Sequence, residues 1–408
     1  MLQCLNLGVT DMHDIRRLLP FYAVILLGFF GYALTIALFI PMLMDRSFPL
    51  LPEEASIALR TSVSGFLLAA YPLGQFLGSP VMGKSSDHYG RKKILLLSLI
   101  ACVLGFSGIA LSIQTHTLIF LFLSCFITGL FESNMSISQS VIADYCQDSV
   151  RKTQLIGYAF SACSLGYIIG PLVGGLSASQ WGYSAPFWLT AISILGLILW
   201  VYRSVEEENK TASSTSIRIL ETLTTFKTVF TEKHLRKTYA VNFMIFFAVQ
   251  GLYRVVPLYV EHQWSPDLKS FTSLISFVSF LCLVANAGVM GYLARQFKTK
   301  SLLGYLLLMS GVVTIVILIP KHYAWIWFTY GLMTLPTVML LTTCTTWLSN
   351  QVSNEQQGQV LGNNQALLVL GECLSAAIGG LIAAIWVPLP IIVMAGILFM
   401  AYGWLAKK

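Results

Sequence analysis

Apolar residues run through this chain in blocks of about 20, separated by short polar turns. A helix needs about 20 apolar residues to cross a hydrocarbon core about 30 Å thick, whereas outer-membrane strands would alternate in segments of about 10. Composition agrees: 56% of the 408 residues are hydrophobic and only 11% charged, against roughly a quarter charged in a water-exposed fold. The chain therefore reads as an all-α integral membrane protein. Its expected spans are 18–43, 61–83, 94–113, 117–143, 153–178, 185–202, 238–260, 270–293, 301–319, 323–347, 357–384 and 386–405.

The formal net charge of +7 would suggest an acidic or nucleic-acid partner in a soluble protein, but its placement carries a different meaning. Twenty Lys and Arg fall on the side of the expected termini, while the opposite loops hold only Arg46, Arg60, Lys269 and Lys321. The positive-inside rule then puts both termini in the cytoplasm of a multi-pass inner-membrane protein that takes no nucleic acid. Trp181, Trp264, Trp325, Trp327 and Trp386 near outer span ends, with Trp200, Trp347 and Trp404 near inner ends, suit such an orientation. The leader is polar and lacks a small-residue cleavage site, so a removable signal peptide is not expected.

Eight cysteines, mostly inside spans and without a C-x-x-C pair, read as packing residues rather than disulfides or metal ligands. The six histidines sit in the leader, loops or span ends, and no catalytic triad or metal site can be assembled from them. Neither enzyme chemistry nor a cofactor is expected.

The longest polar stretch divides the chain into a six-span half at 1–202, a linker at 203–237 and a second six-span half at 238–408. Within the linker, Ile219, Leu223, Phe226 and Phe230 have the spacing of an interfacial amphipathic helix. The halves also match in register. A shift of 205 residues carries Gln154, Gly157, Gly166, Gly174 and Gly175 onto Gln359, Gly362, Gly371, Gly379 and Gly380, and a shift of 208 carries Val81-Met82-Gly83 onto Val289-Met290-Gly291. Such a parallel duplication is the mark of a transporter whose halves rock about a central site. A channel has no need of it.

The turn between spans 2 and 3 holds Gly83, Asp87, Gly90, Arg91, Lys92 and Lys93 in the order of the G-x-x-x-D-R-x-G-R-K-K signature, and so resembles the major facilitator superfamily; His88 stands where that family usually has Arg. Gly83 is suited to close helix approach and Gly90 to a turn. The resemblance adds Asp144, at the inner end of span 4, and implies that Asp87, Arg91 and Asp144 latch the cytoplasmic side in an outward-open state. Span 5 carries Gly166, Gly170, Pro171, Gly174 and Gly175, similar to the antiporter signature of drug-efflux members. Glu355-Gln-Gln-Gly358-Gln359 before span 11 resembles the same place in tetracycline:proton antiporters. The implied fold is twelve helices in two pseudo-symmetric bundles, working as a monomer in membrane lipid. Two departures stand out: Tyr32 occupies the place of an acid in span 1, and Cys125 that of an Arg in span 4.

Charges placed inside a bilayer are costly and mark function. Glu132 and Glu372 fall near the middles of spans 4 and 11 and are the candidates for proton coupling, although either could instead pair with Arg254 to hold helices together. Ser124, Thr128, Ser136 and Ser140 step every four residues with Glu132, a polar stripe expected to face a cavity. Arg254, Gln250, Tyr32, Gln75, Tyr71 and Asn242 are the candidate substrate-cavity residues; Tyr71, Gln75, Asn242 and Gln250 could equally bind helix to helix, and Arg254 could be a span-end residue reaching outward. The expected function is proton-coupled efflux of a small organic molecule. The alternatives are export of an endogenous metabolite such as a carboxylate siderophore, and proton-symport uptake of a nutrient.

Overall fold

The computed structural model describes residues 10–132, 134–145, 149–205, 235–352 and 356–406; within these, the side chains of 10–16, 87, 134, 135, 143, 144, 149, 150 and 153 are outside the description. Twelve helical segments are long and apolar enough to cross a membrane. Ten are single helices: Thr10–Met44, Ile57–Tyr89, Arg91–Gln114, Ser149–Trp181, Ala185–Ser204, Arg236–Trp264, Thr299–Val316, Tyr323–Ser349, Gln357–Ile385 and Leu389–Ala406. Span 4 is two helices, Leu118–Phe131 and Asn134–Tyr145, and span 8 contains a π-helical turn, Ala285–Val289, between Leu268–Val284 and Met290–Gln296. Residues 206–234 of the expected linker, with its amphipathic helix, lie outside the described residues, as does Glu355.

Backbone chemistry dictates this all-helical form, because in lipid each peptide N–H and C=O must find its partner within the segment. Turns are made by local means. Gly90 has φ 95° between spans 2 and 3, and Gly182 has φ 85° between spans 5 and 6, values that cost a residue with a Cβ. Ser56 and Asp267 cap spans 2 and 8 by accepting from the amides of Leu59 and Ser270. The Ser270 contacts hold the Asp267 carboxyl below the usual carboxylate range.

Helix pairing repeats between the halves. Span 1 packs on spans 5 and 6, span 3 on 4 and 6, and span 2 on 4. In the second half, span 7 packs on 11 and 12, span 9 on 10 and 12, and span 8 on 10. Adding six to each span number turns the first set into the second, so the halves are pseudo-symmetric bundles. They meet chiefly through spans 2 and 11 and through spans 5 and 8, which the same symmetry exchanges.

That meeting is closest at the end of the bundle opposite the termini. There a Cβ added to Gly65 of span 2 would lie 2.7 Å from Gly380 Cα of span 11, and one added to Gly175 of span 5 would lie 2.7 Å from Thr272 Cβ of span 8. At the end that carries the termini, Gly83, Gly157, Gly288, Gly291, Gly358 and Gly362 have nothing among the described residues within 4 Å of the same position. The halves are thus in close contact at the end opposite the termini and stand apart at the end that carries the termini. The close approach expected at Gly83 is therefore absent from this conformation, since its neighbours belong to the separated ends.

The outer loop between spans 1 and 2 is organised by Arg60, which was expected only as a loop cation. It is 2% exposed. Its Nη1 donates to the carbonyls of Leu43 (2.7 Å) and Asp45 (3.2 Å), its Nη2 to Pro52 (2.9 Å) and Glu53 (3.5 Å), and its Nε to Ala55 (3.3 Å). Hydrogen bonds to a charged donor contribute about 1.5–3 kcal/mol each. Replacing Arg60 with Met is expected to lower the thermal unfolding temperature in detergent by several degrees and to expose the 46–55 loop to protease. An unchanged cleavage pattern would show that the loop folds without this guanidinium.

Candidate substrate cavity and buried charge cluster

A cavity of about 240 Å³ lies between the two halves. The first half contributes Ala33, Ile36, Ser164, Tyr167 and Pro171; the second contributes Gln250, Tyr253, Arg254, Ser279, Cys282, Tyr330 and Glu372 among others. Its walls are aliphatic and aromatic with a few convergent polar groups, as in sites for small organic ligands. Gln250 and Arg254 reach it together because four residues is about one helical turn. Tyr253 hydroxyl lies 3.4 Å from Thr337 Oγ1 and 3.6 Å from Cys282 Sγ, which orients its ring along the wall.

Glu372 and Arg254 form an ion pair on this wall, each deeply buried. Tyr32 of span 1 joins them: its hydroxyl donates to Glu372 Oε1 and accepts from Arg254 Nη2 at 2.5 Å. Arg254 Cζ sits 5.7 Å over the Tyr32 ring centroid. The guanidinium is therefore turned into the protein rather than toward the outer surface. Its Nε is buried without a hydrogen-bond partner, an unused donor on a residue that lines the cavity.

Glu132 is served differently. Its Oε2 accepts from the Tyr71 hydroxyl at 2.5 Å and from Gln75 Nε2 at 3.0 Å. Both partners are neutral and both come from span 2. The span 4 helix ends at this residue, which has φ −80° and ψ 80°, and Gly28 of span 1 leaves the room its carboxylate occupies, since a Cβ there would stand 2.9 Å from Oε1. Tyr71 and Tyr32 pack ring to ring with centroids 4.9 Å apart, and Tyr167 meets Tyr32 at 6.2 Å. The two carboxylates, one from each half, are thus joined through tyrosines whose rings pack at a tilt of 44°.

The expected serine stripe is not a stripe. Thr128 Oγ1 donates to Ser124 O at 2.6 Å, and both side chains fill the space beside Gly105 and Gly108 of span 3. Ser136 and Ser140 follow the break at Glu132, on a second helix, and are exposed. A four-residue rhythm marks one face only while the helix continues. Asn242 also lies apart from the cavity lining. It is fully buried and donates to Asn364 Oδ1 (2.8 Å) and Cys344 O (3.2 Å), binding span 7 to spans 11 and 10.

Glycines of span 5 seat it on span 1: positions for a Cβ on Gly166 and Gly170 fall 2.6 and 2.8 Å from the carbonyls of Leu26 and Phe30. Pro171 of the same run lines the cavity. Arg91 begins span 3 just after Gly90, while the side chains of Asp87 and Asp144 lie outside the described residues. Sequence reasoning passed over Tyr167, Tyr253 and Tyr330 as cavity residues. Tyr253 carried a signal, standing next to Arg254 and three residues after Gln250; Tyr167 and Tyr330 carried none that separates them from ordinary packing aromatics.

Residues 21–376 match the family model of the Major Facilitator Superfamily. The chain is 25% identical over 379 residues to multidrug resistance protein 2 of Bacillus subtilis (strain 168), covering 88% of this chain and 91% of that one. It is 26% identical over 350 residues to the class C tetracycline resistance protein of Escherichia coli, covering 79% and 81%. Among solved structures, a D-xylose–proton symporter superposes with a TM-score of 0.76 at 15% identity, over 96% of this chain and 97% of that one.

Removing one member of a buried ion pair strands the other, at about 3–5 kcal/mol, while replacing both with apolar groups is often neutral. Glu372→Gln is therefore expected to destabilise the protein clearly in detergent, and Glu372→Leu combined with Arg254→Met to recover much of that loss. Thermal unfolding of the single and double variants checks it. Equal stability of Glu372→Gln and the parent would mean that Arg254 is satisfied without the carboxylate.

Proposed function

Since the chain belongs to the Major Facilitator Superfamily, we propose that it is a secondary active transporter that exports a small organic molecule across the inner membrane in exchange for protons. The observation that carries this reading is the contrast between its two buried acids. Glu372 is neutralised by Arg254. Among the described residues Glu132 has neutral hydrogen-bond donors alone, so its negative charge has no partner cation there, in surroundings where charge is costly. Taking up a proton removes that cost, and exchange of this proton between the two sides of the membrane supplies the coupling. The relatives named for multidrug and tetracycline resistance support efflux as the direction.

In this reading residues 1–202 and 238–408 move as two units, 203–237 links them, and both termini are cytoplasmic. The protein works as a monomer in lipid. The inward-open arrangement receives substrate from the cytoplasm: aromatic walls take its apolar body, and the unused Nε of Arg254 takes an oxygen acceptor. Because Glu372 already balances Arg254, a neutral or zwitterionic molecule fits such a cavity as well as an anion. Rocking then opens the outer side, and Asp87, Arg91 and Asp144, with Gly83 and Gly90 shaping the turn, close the inner side.

Inverted membrane vesicles with an acidic interior test the direction, with ethidium and tetracycline as probes. Export predicts accumulation of at least one of them driven by the gradient. Accumulation confined to right-side-out vesicles would make the protein an importer. Glu132→Gln is expected to abolish accumulation while leaving downhill exchange, and uphill transport retained in that variant would move the coupling elsewhere. Asp87→Asn is expected to slow transport strongly with normal membrane insertion; turnover equal to the parent would remove Asp87 from the inner latch.

A further inference from the structure

Between the two acids lies Tyr32, expected at the substrate cavity but absent from its lining. Tyr32 is carried by the first half, yet its hydroxyl contacts both members of the second half's ion pair, Glu372 and Arg254. Its ring rests on Tyr71, whose hydroxyl serves Glu132. Tyr32, Ile36 and Tyr71 form a small cluster of buried apolar residues separate from the main core, with Tyr167 packed against it. We infer that Tyr32 is a positioning residue that couples the halves, transmitting the occupancy of Glu132 to the Glu372–Arg254 pair. This rests on the proton-coupled reading of Glu132.

The geometry states how. While Glu132 accepts from Tyr71, the Tyr71 ring is held at the angle and distance that support Tyr32. Tyr32 in turn keeps its hydroxyl on the ion pair and so keeps the centre of the two halves together. A protonated Glu132 is a weaker acceptor for the Tyr71 hydroxyl. Tyr71 then loses its anchor, and Tyr32 is released to leave the pair as the halves rock. The titratable and charged groups facing this path are Tyr71 of span 2, Cys102 of span 3, Cys163 and Tyr167 of span 5, Arg254 of span 7 and Glu372 of span 11. Of the two acids on this path, Glu372 is paired with Arg254 and Glu132 has neutral donors among the described residues, so the path runs from Glu132 outward.

The test needs no substrate. Full-length protein in lipid nanodiscs carries fluorophores on non-canonical residues at Thr115 and His322, exposed positions at the outer ends of the two halves. Their distance is followed from mildly acidic to mildly alkaline pH. In parallel, the infrared carboxyl band that disappears in Glu132→Gln reports the proton on Glu132. The parent protein is expected to change distance as that band titrates. In Tyr32→Phe, which keeps the ring, the band is expected to titrate while the distance change is lost; Tyr71→Phe is expected to lose it too. Tyr71→Phe carries the test if Tyr32→Phe does not fold. A distance change equal to the parent's in either folded variant, with the band still titrating, overturns the coupling role and leaves Glu132 as the proton site. A band that does not titrate in the parent overturns the proton reading itself.

Discussion

A chain that carries carboxylates to the middle of a membrane must bring each of them a donor, because water is not there to supply one. Here the donors come from other spans. Glu372 takes its partners from spans 7 and 1, and Glu132 takes both of its partners from span 2. Satisfying these two groups fixes how spans 1, 2, 4, 7 and 11 stand around the centre. It also sets their chemistry apart: one acid is neutralised by a cation, the other only hydrogen-bonded. A membrane protein tolerates the second arrangement where a proton can come and go.

The duplication surrounds that centre with one packing scheme used twice. Each half is held by the same set of helix pairings, and the halves touch through two symmetry-related pairs of spans. Glycines let those spans approach at the outer end, and the inner glycines stand clear of one another. Small residues at such crossings favour close van der Waals contact over side-chain interlocking, so the contact can open without unthreading large side chains. The same glycines that tighten span 5 on span 1 also place Pro171 and Tyr167 at the cavity. Packing and site are therefore built from one helix.

Local signals predicted some parts of the site and misplaced others. Arg254 was legible as a cavity residue because Gln250 lies one turn away, whereas Tyr71 and Gln75, expected at the cavity, are absent from its lining and serve Glu132 instead. The stripe from Ser124 to Ser140 failed because a helix face was extrapolated across the break at Glu132, where the backbone leaves the helix. Asn242 fitted a ligand contact and an interhelical bond equally by sequence and is the latter, since a buried amide serves either role until its neighbours are known. Arg60 looked like an exposed cation and proved to be the framework of a loop, its five acceptors all being carbonyls, which no side-chain pattern reveals.

The sequence by itself determined the spans, the basic asymmetry, the duplication and the presence of two acids at mid-membrane depth. Each of these depends on block length or on short motifs in register, properties that survive in a one-dimensional reading. Only the tertiary structure decided which acid is paired. Arg254 and Tyr32 lie 118 and 340 positions from Glu372 along the chain, and no periodicity reaches so far. It also decided which end of the bundle is closed, because the outer and inner glycines look alike in sequence and differ only in what stands opposite them.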